Sequence, residues 1–392
     1  MPDSMNDILR SWKSGRNALL YGPPATGKTR LISKLFELLS SPPPGARGIQ
    51  LDPNDAAKPF SRPPQEITIP LPAKVVWTTF HQSYGYEDFV LGLRPKVTSE
   101  GTTLEPWAGV FLDAALELND PESSFKSVVI FIDEINRGNA ARIFGEFMTF
   151  LDFDYREGGS VPLPLPLRQL RYQDDVSEEV HRPDGQMVKI PKSFHFPKDV
   201  YVVATMNSVD RAAVPIDSAL ARRFDRIEMR PDLDVLAKHW GLECGPVPES
   251  SGENWETLTP FQTGMLLLDR LNLAIASDLG PEFELGHGLL TPVASSTRNT
   301  GGTSGEINED GAWKSLAKTW DFVLFPQLED RYSGRPAQLL ELLRVDTPPP
   351  GPFAWSLRTA RNGVTNARAL APIRVSECPL DVIKRSFRWL AH

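Results

Sequence analysis

Near the start of the chain, Gly22-Pro-Pro-Ala-Thr-Gly-Lys-Thr29 follows the order G-x-x-x-x-G-K-[ST]. Gly22, Pro23, Pro24, Ala25, Thr26 and Gly27 form a turn whose N–H groups can cradle phosphates, helped by the N-terminus of the helix that follows. Lys28 would neutralise the β- and γ-phosphates, and Thr29 would ligate Mg²⁺. Asp133-Glu134 closes the apolar run Val128-Val-Ile-Phe-Ile132. Such a pair supplies one carboxylate to the metal, Asp133, and one to polarise water, Glu134. Thr205-Met-Asn207 closes a second apolar run, Val200–Ala204. The Asn207 amide there can hydrogen-bond the γ-phosphate or the attacking water. Arg222 and Arg223 follow in Ala221-Arg-Arg-Phe224. They read either as solvated charges at a helix end or as a finger reaching the nucleotide of a neighbouring subunit.

These residues need strands and helices to position them. Asn17–Tyr21 reads as a buried strand that leads into the Gly/Pro loop. Leu31, Ile32, Leu35, Phe36, Leu38 and Leu39 then make an apolar stripe at helical spacing. Val75–Thr79, Val128–Ile132, Val200–Ala204 and Ile227–Met229 read as further strands, and Trp107–Leu118 and Ala140–Leu151 as helices. Val128–Ile132, apolar throughout, suits a central parallel strand covered on both faces. The alternation predicts an α/β fold with a parallel sheet over residues 1–231. Two insertions interrupt it, at about 41–72 and 154–198. The first, rich in proline, reads as an exposed loop, and the second as one or two surface hairpins. After Pro231 the pattern turns mostly helical, with helices over Phe261–Ser277, Ala312–Leu328 and Pro336–Leu343. The spacing therefore predicts a helical domain over 232–344, with a loop at 294–311. A separate tail, 345–392, ends in a helix near Leu380–Leu390.

Composition excludes several classes. The chain has 392 residues, enough for two domains. Its formal charge is 42 − 50 = −8, which argues against a surface built to coat nucleic acid. Its two cysteines, Cys244 and Cys378, cannot form a disulfide framework, and they point to a reducing cytoplasm. The longest apolar runs fall short of a membrane span, so no membrane association is expected.

The order of these motifs resembles the AAA+ superfamily, and their finer wording resembles its McrB-type branch, the motor subunits of modified-cytosine restriction systems. Phe80-His-Gln-Ser-Tyr-Gly-Tyr-Glu-Asp-Phe89 with Gly92-Leu-Arg-Pro95, Ile132-Asp-Glu-Ile-Asn-Arg137 with Phe144-Gly-Glu146, Met206-Asn-Ser-Val-Asp-Arg211 and Ala219-Leu-Ala-Arg-Arg-Phe224 carry the likeness over about residues 14–330. Leu285-Gly-His-Gly288 sits where that branch has a Gly-His-Ser stretch in its helical lid.

The resemblance implies hydrolysis of GTP, or of ATP, with Mg²⁺, in a hexameric ring. It also implies an McrC-like partner that stimulates turnover and carries a nuclease. By the same carry-over Glu134 is the candidate base and Asn207 a sensor. Asp210 and Arg211 belong to the segment through which the partner tunes hydrolysis. Arg222 or Arg223 acts in trans, and His287 lies near the nucleotide. A MoxR-like ATP-dependent remodelling enzyme, or a nucleotide-gated defence scaffold, would share the fold.

Four departures stand out. Ala25 occupies a position where glycine is usual, so the loop either avoids positive φ there or bears strain of about 1 kcal/mol. Gly288 replaces a serine, and Ser208-Val209 replaces a Thr-Ala pair. Gly22 lies so near the start that the branch's N-terminal DNA-reading domain is expected to be absent. DNA would then be recognised through a partner, through 154–198, or through the tail.

Overall fold

The computed structural model describes residues 2–42, 44–50, 58–60, 69–99, 101–156, 179–190, 195–209, 214–242, 255–295, 308–344 and 374–392. Contacts divide the chain into two compact units. One comprises Met1–Gly22 with Lys28–Met229, the other Pro23–Gly27 with Arg230–His392.

The first unit carries, in chain order, β1 (Asn17–Gly22), β2 (Gly48–Gln50), β3 (Lys58–Phe60), β4 (Ile69–Pro70), β5 (Ala73–Thr79), β6 (Leu91–Thr98), β7 (Gly101–Ala108) and β8 (Ser127–Asp133). Then follow β9 (Glu179–His181), β10 (Met187–Lys189), β11 (Val200–Asn207) and β12 (Phe224–Glu228). Five of them form an all-parallel sheet in the order β12-β1-β11-β8-β5. Side chains alternate between its faces, as the two-residue period of a strand requires. On β8, Val128, Ile130 and Ile132 enter one apolar cluster, and Val129 and Phe131 enter the other. β11 splits likewise, with Val200, Val202 and Ala204 against Tyr201 and Val203. This double covering explains the near-continuous apolar runs. It also leaves the strand tips as the places where polar side chains can stand.

Several elements differ from expectation. The helix expected from Trp107 begins at Val110 and runs to Asn119. Residues 101–108 instead pair with β6 as an antiparallel hairpin that takes in Trp107 and Ala108, and the helix starts only after Gly109, which stays extended at φ −82° and ψ 178° as its cap. The helix expected over Ala140–Leu151 breaks at Gly145 (φ +52°) into an α-helix, Ala140–Phe144, and a 3₁₀ segment, Gly145–Leu151. The expected 41–72 loop contains three short strands in the order β3-β2-β4. An unforeseen first helix, Pro2–Lys13, buries Met5, Ile8, Leu9 and Trp12, and the Trp12 indole donates to the Val202 carbonyl at 3.0 Å. Within 154–198, β9 and β10 form a hairpin, and 157–178 and 191–194 lie outside the described residues.

The second unit is helical around one apolar core that includes Trp240, Leu267, Leu271, Trp313, Leu316 and Trp320. The helix expected over Ala312–Leu328 spans Glu309–Thr319, widens to a π turn over Trp320–Leu324, then resumes over Phe325–Arg331. Pro326 cannot donate back along the helix, and the wider turn accommodates that lost bond. The C-terminal helix, Leu380–Ala391, inserts Ile383, Phe387 and Leu390 into this same core. Arg270 fastens it by donating to the Leu390 carbonyl, and to the Leu342 carbonyl at 2.9 Å. No helix among the described residues is long and apolar enough to cross a membrane.

Candidate active site

The tips of β1, β8 and β11 lie side by side in the first unit. Register places Gly22 beside Asn207, and the Ser208 amide donates to the Gly22 carbonyl at 3.1 Å. Gly22 sits at φ +147°, where a Cβ would stand 2.3 Å from the Met229 carbonyl oxygen, so glycine is required. Lys28 opens the helix Lys28–Ser40 and its Nζ donates to the Gly22 carbonyl at 2.9 Å. Burial lowers its pKa to about 8, while the negative charges of Glu134 and Asp133 pull the other way. Thr29 is exposed in the first turn of that helix.

Asp133 ends β8, and Glu134 turns the chain with φ 55° and ψ 49°, a left-handed conformation. The Asn207 Nδ2 donates to Glu134 Oε1, and Arg137 Nε lies 3.9 Å from Glu134 Oε2. Thr205 stands between the acids. Its hydroxyl donates to Asp133 Oδ1 and accepts from the Glu134 amide at 3.1 Å. Buried Asn136 donates through its side chain to the Asn207 main-chain carbonyl at 3.0 Å, and its main-chain carbonyl accepts from the Val214 amide at 2.8 Å. Thr205 and Asn136 were not foreseen as site residues. Their roles come from register across strands, which a linear spacing does not display.

Thr29 and Asp133 offer hard oxygen donors of the kind Mg²⁺ takes. No cluster of three His, Cys, Asp or Glu side chains suited to a metal exists among the described residues. This donor set fits an ion held by one carboxylate, one hydroxyl, water and substrate phosphates, not an all-protein cage.

In the second unit, Pro23–Gly27 has Ala25 at φ 63° and Gly27 at φ 88°. Of the two options for Ala25, the loop takes the strained one. The Thr26 hydroxyl donates to the Pro23 carbonyl at 3.0 Å, and the Gly288 amide donates to the Ala25 carbonyl at 2.8 Å. A Cβ on Gly286 would stand 2.2 Å from the Pro24 oxygen, so backbone meets backbone there. His287, between these glycines, is buried and its Nδ1 accepts from the Asp232 amide at 3.1 Å.

The two candidate arginines have different surroundings. Arg223 is buried, with Nε donating to Asp152 at 2.8 Å and Nη1 to the Ala219 carbonyl at 2.7 Å. Arg222 is exposed, and its carbonyl accepts from Arg16 at 2.6 Å. Asp210 and Arg211 lie outside the described residues. The aromatic segment after β5 is packed: Phe80 is buried, stacks on Tyr84 and meets Phe89 edge-on, and the Tyr86 hydroxyl donates to Glu146 at 3.2 Å.

A family model for the AAA domain (dynein-related subfamily) matches residues 65–224, a span holding Asp133, Glu134, Asn207 and both arginines. The chain is 30% identical over 247 residues to the type IV methyl-directed restriction enzyme EcoKMcrB subunit of Escherichia coli (strain K12), covering 60% of this chain and 42% of that protein. It is 24% identical over 248 residues to the type II restriction enzyme BsuMI component YdiS of Bacillus subtilis (strain 168), covering 57% and 59%. The chain thus spans about half the length of these curated relatives. A solved structure from Cytophaga hutchinsonii aligns over 86% of this chain and 78% of its own, at 12% identity and a TM-score of 0.28, too low to bear on the fold.

Proposed function

We propose that this chain is an AAA+ protein of the McrB type, which binds a purine nucleoside triphosphate with Mg²⁺ and hydrolyses it to drive a restriction complex. One observation carries the reading. Lys28, Asn207 and the Asp133–Glu134 pair converge on three neighbouring strand tips, with Lys28 and Asn207 both at Gly22.

In this reading the N–H groups of residues 22–29 and the Lys28 ammonium receive the β- and γ-phosphates. Thr29 and Asp133 would hold Mg²⁺, which offsets charge on the phosphate oxygens when bound. Glu134 accepts a proton from the attacking water, and Asn207 fixes the carboxylate so that it faces that water. The exposed Arg222, not the engaged Arg223, is the group proposed to reach a neighbour's nucleotide. The His287 ring is tied to the Asp232 amide, so the reading gives it no step. GTP is the proposed substrate and ATP the alternative. The assembly is a hexameric ring with an McrC-like nuclease partner, through which DNA is engaged, in the cytoplasm. The restriction-enzyme names of both relatives support this setting.

The test is phosphate release with GTP or ATP, run beside mass photometry with each nucleotide. Lys28→Ala is expected to lose nucleotide binding. Glu134→Gln is expected to bind nucleotide, assemble, and turn over about 100-fold or more slowly. Wild-type turnover by Glu134→Gln would remove the base from Glu134, and absence of purine triphosphate binding by the unmodified protein would overturn the reading.

A further inference from the structure

We infer that Thr205 is a positioning residue that couples the metal-binding carboxylate to the base through its single hydroxyl; the inference rests on the reading of Asp133 and Glu134 given above. Thr205 is 2% exposed and lies one residue beyond the last paired residues of β11 and β8, Ala204 and Ile132. On its other side it pairs with Leu20 of β1. It therefore sits where the parallel ladder ends and β8 turns away.

A hydroxyl has one proton to donate and lone pairs to accept with. Thr205 spends its proton on Asp133 Oδ1 and accepts the Glu134 N–H with its oxygen. The left-handed turn at Glu134 takes that N–H out of the ladder, and a partly buried amide left without an acceptor is costly. The hydroxyl supplies the acceptor, and so holds in place a conformation that a side-chain-bearing residue adopts reluctantly. The bond to Oδ1 also restricts rotation of the Asp133 carboxylate and leaves Oδ2 as the oxygen that would serve a metal. Partners of this kind, one bond removed from the ion, set how tightly a site binds its metal.

The arrangement makes a prediction that simple packing would not. Thr205→Val keeps the shape and removes both bonds. Nucleotide affinity measured with EDTA should stay within about twofold of wild type, while the gain in affinity on adding Mg²⁺ should shrink about tenfold. The Mg²⁺ concentration for half-maximal turnover should rise about tenfold, with kcat falling more than KM changes. Thr205→Ser should restore both quantities to within about threefold. If Thr205→Val fails to fold, Thr205→Ser and Thr205→Ala replace it as a pair differing only in the hydroxyl. Equal Mg²⁺ dependence in the members of either pair overturns the inference. A wild-type protein that binds no triphosphate overturns the proposed function instead, so the two failures are told apart before any variant is made.

Discussion

Ala25 is held at φ 63° by a neighbour, since the Gly288 amide grips its carbonyl. That backbone is left-handed, a conformation a residue with a Cβ adopts reluctantly. Ala25→Gly should relieve about 1–2 kcal/mol of left-handed strain and give back about 0.5–1 kcal/mol through the freer unfolded chain. A small net stabilisation, read as a higher denaturant midpoint with an unchanged slope, is the expected result. Gly288→Ala should destabilise, because its Cβ would lie 2.8 Å from the Ala25 oxygen. Combining the two changes should recover only part of that loss, since the oxygen remains when the Ala25 methyl is gone. Full recovery in the double variant would show that the methyl, not the backbone, sets the clash. At this scale much of the candidate site is legible in the sequence. Lys28, Thr29, Asp133, Glu134 and Asn207 announce themselves by type and spacing. Thr205 and Asn136 do not, because a hydroxyl or amide near a strand tip acquires its partner only when two distant segments pair in register.

Elements were legible where one apolar period ran undisturbed. β8 and β11 alternate cleanly between two faces, whereas the hairpin of β6 and β7 is exposed along much of its length and leaves little periodicity to read. The hairpin of β9 and β10 is fastened by a polar device that no spacing reveals. Arg182, beyond the end of β9, donates to Asp113 and Glu117 on the helix Val110–Asn119, while Lys74 of β5 reaches the same two acids at 3.0 and 2.9 Å. Burial pushes the Glu117 carboxyl up, but hydrogen bonds from Arg182, Lys74 and Ser123 outweigh it and hold the pKa at about 2. A carboxylate with a lowered pKa lends stability that is complete above its unfolded value of 4.5 and fades as pH falls from there toward 2. Arg182→Met should therefore destabilise by about 3 kcal/mol at neutral pH, where it strands buried negative charge. The deficit should narrow as pH falls below the ordinary carboxylate range. A deficit independent of pH would assign the effect to lost packing of the arginine stem.

At the scale of the molecule, the boundary expected near Pro231 compares with a division after Met229, and the terminal helix expected near Leu380–Leu390 contributes Ile383, Phe387 and Leu390 to the core of the second unit. A terminal amphipathic helix looks the same in sequence whether it docks on its own chain or on another. Arg222 and Arg223 pose a similar question about self and neighbour, and here the surroundings divide them. Arg223 spends its guanidinium on Asp152 and Ala219, so Arg223→Ala should cost about 2 kcal/mol of stability and impair turnover only through folding. Arg222 is exposed. If it serves the next subunit, Arg222→Ala should fold normally, bind nucleotide with wild-type affinity and lose about a thousandfold in turnover. Mixing separates action on the neighbour from action within the subunit. An Arg222→Ala subunit keeps its own Glu134, and a Glu134→Gln subunit, which binds nucleotide and assembles, keeps its own Arg222. In a ring of head-to-tail contacts assembled at random, a complete site forms when the first kind meets the second, at one-half times one-half or about a quarter of the interfaces. Equal amounts of two inactive proteins should then regain about a quarter of wild-type turnover, whereas a mixture as inactive as its parts would place Arg222 outside the reaction or confine it to its own subunit.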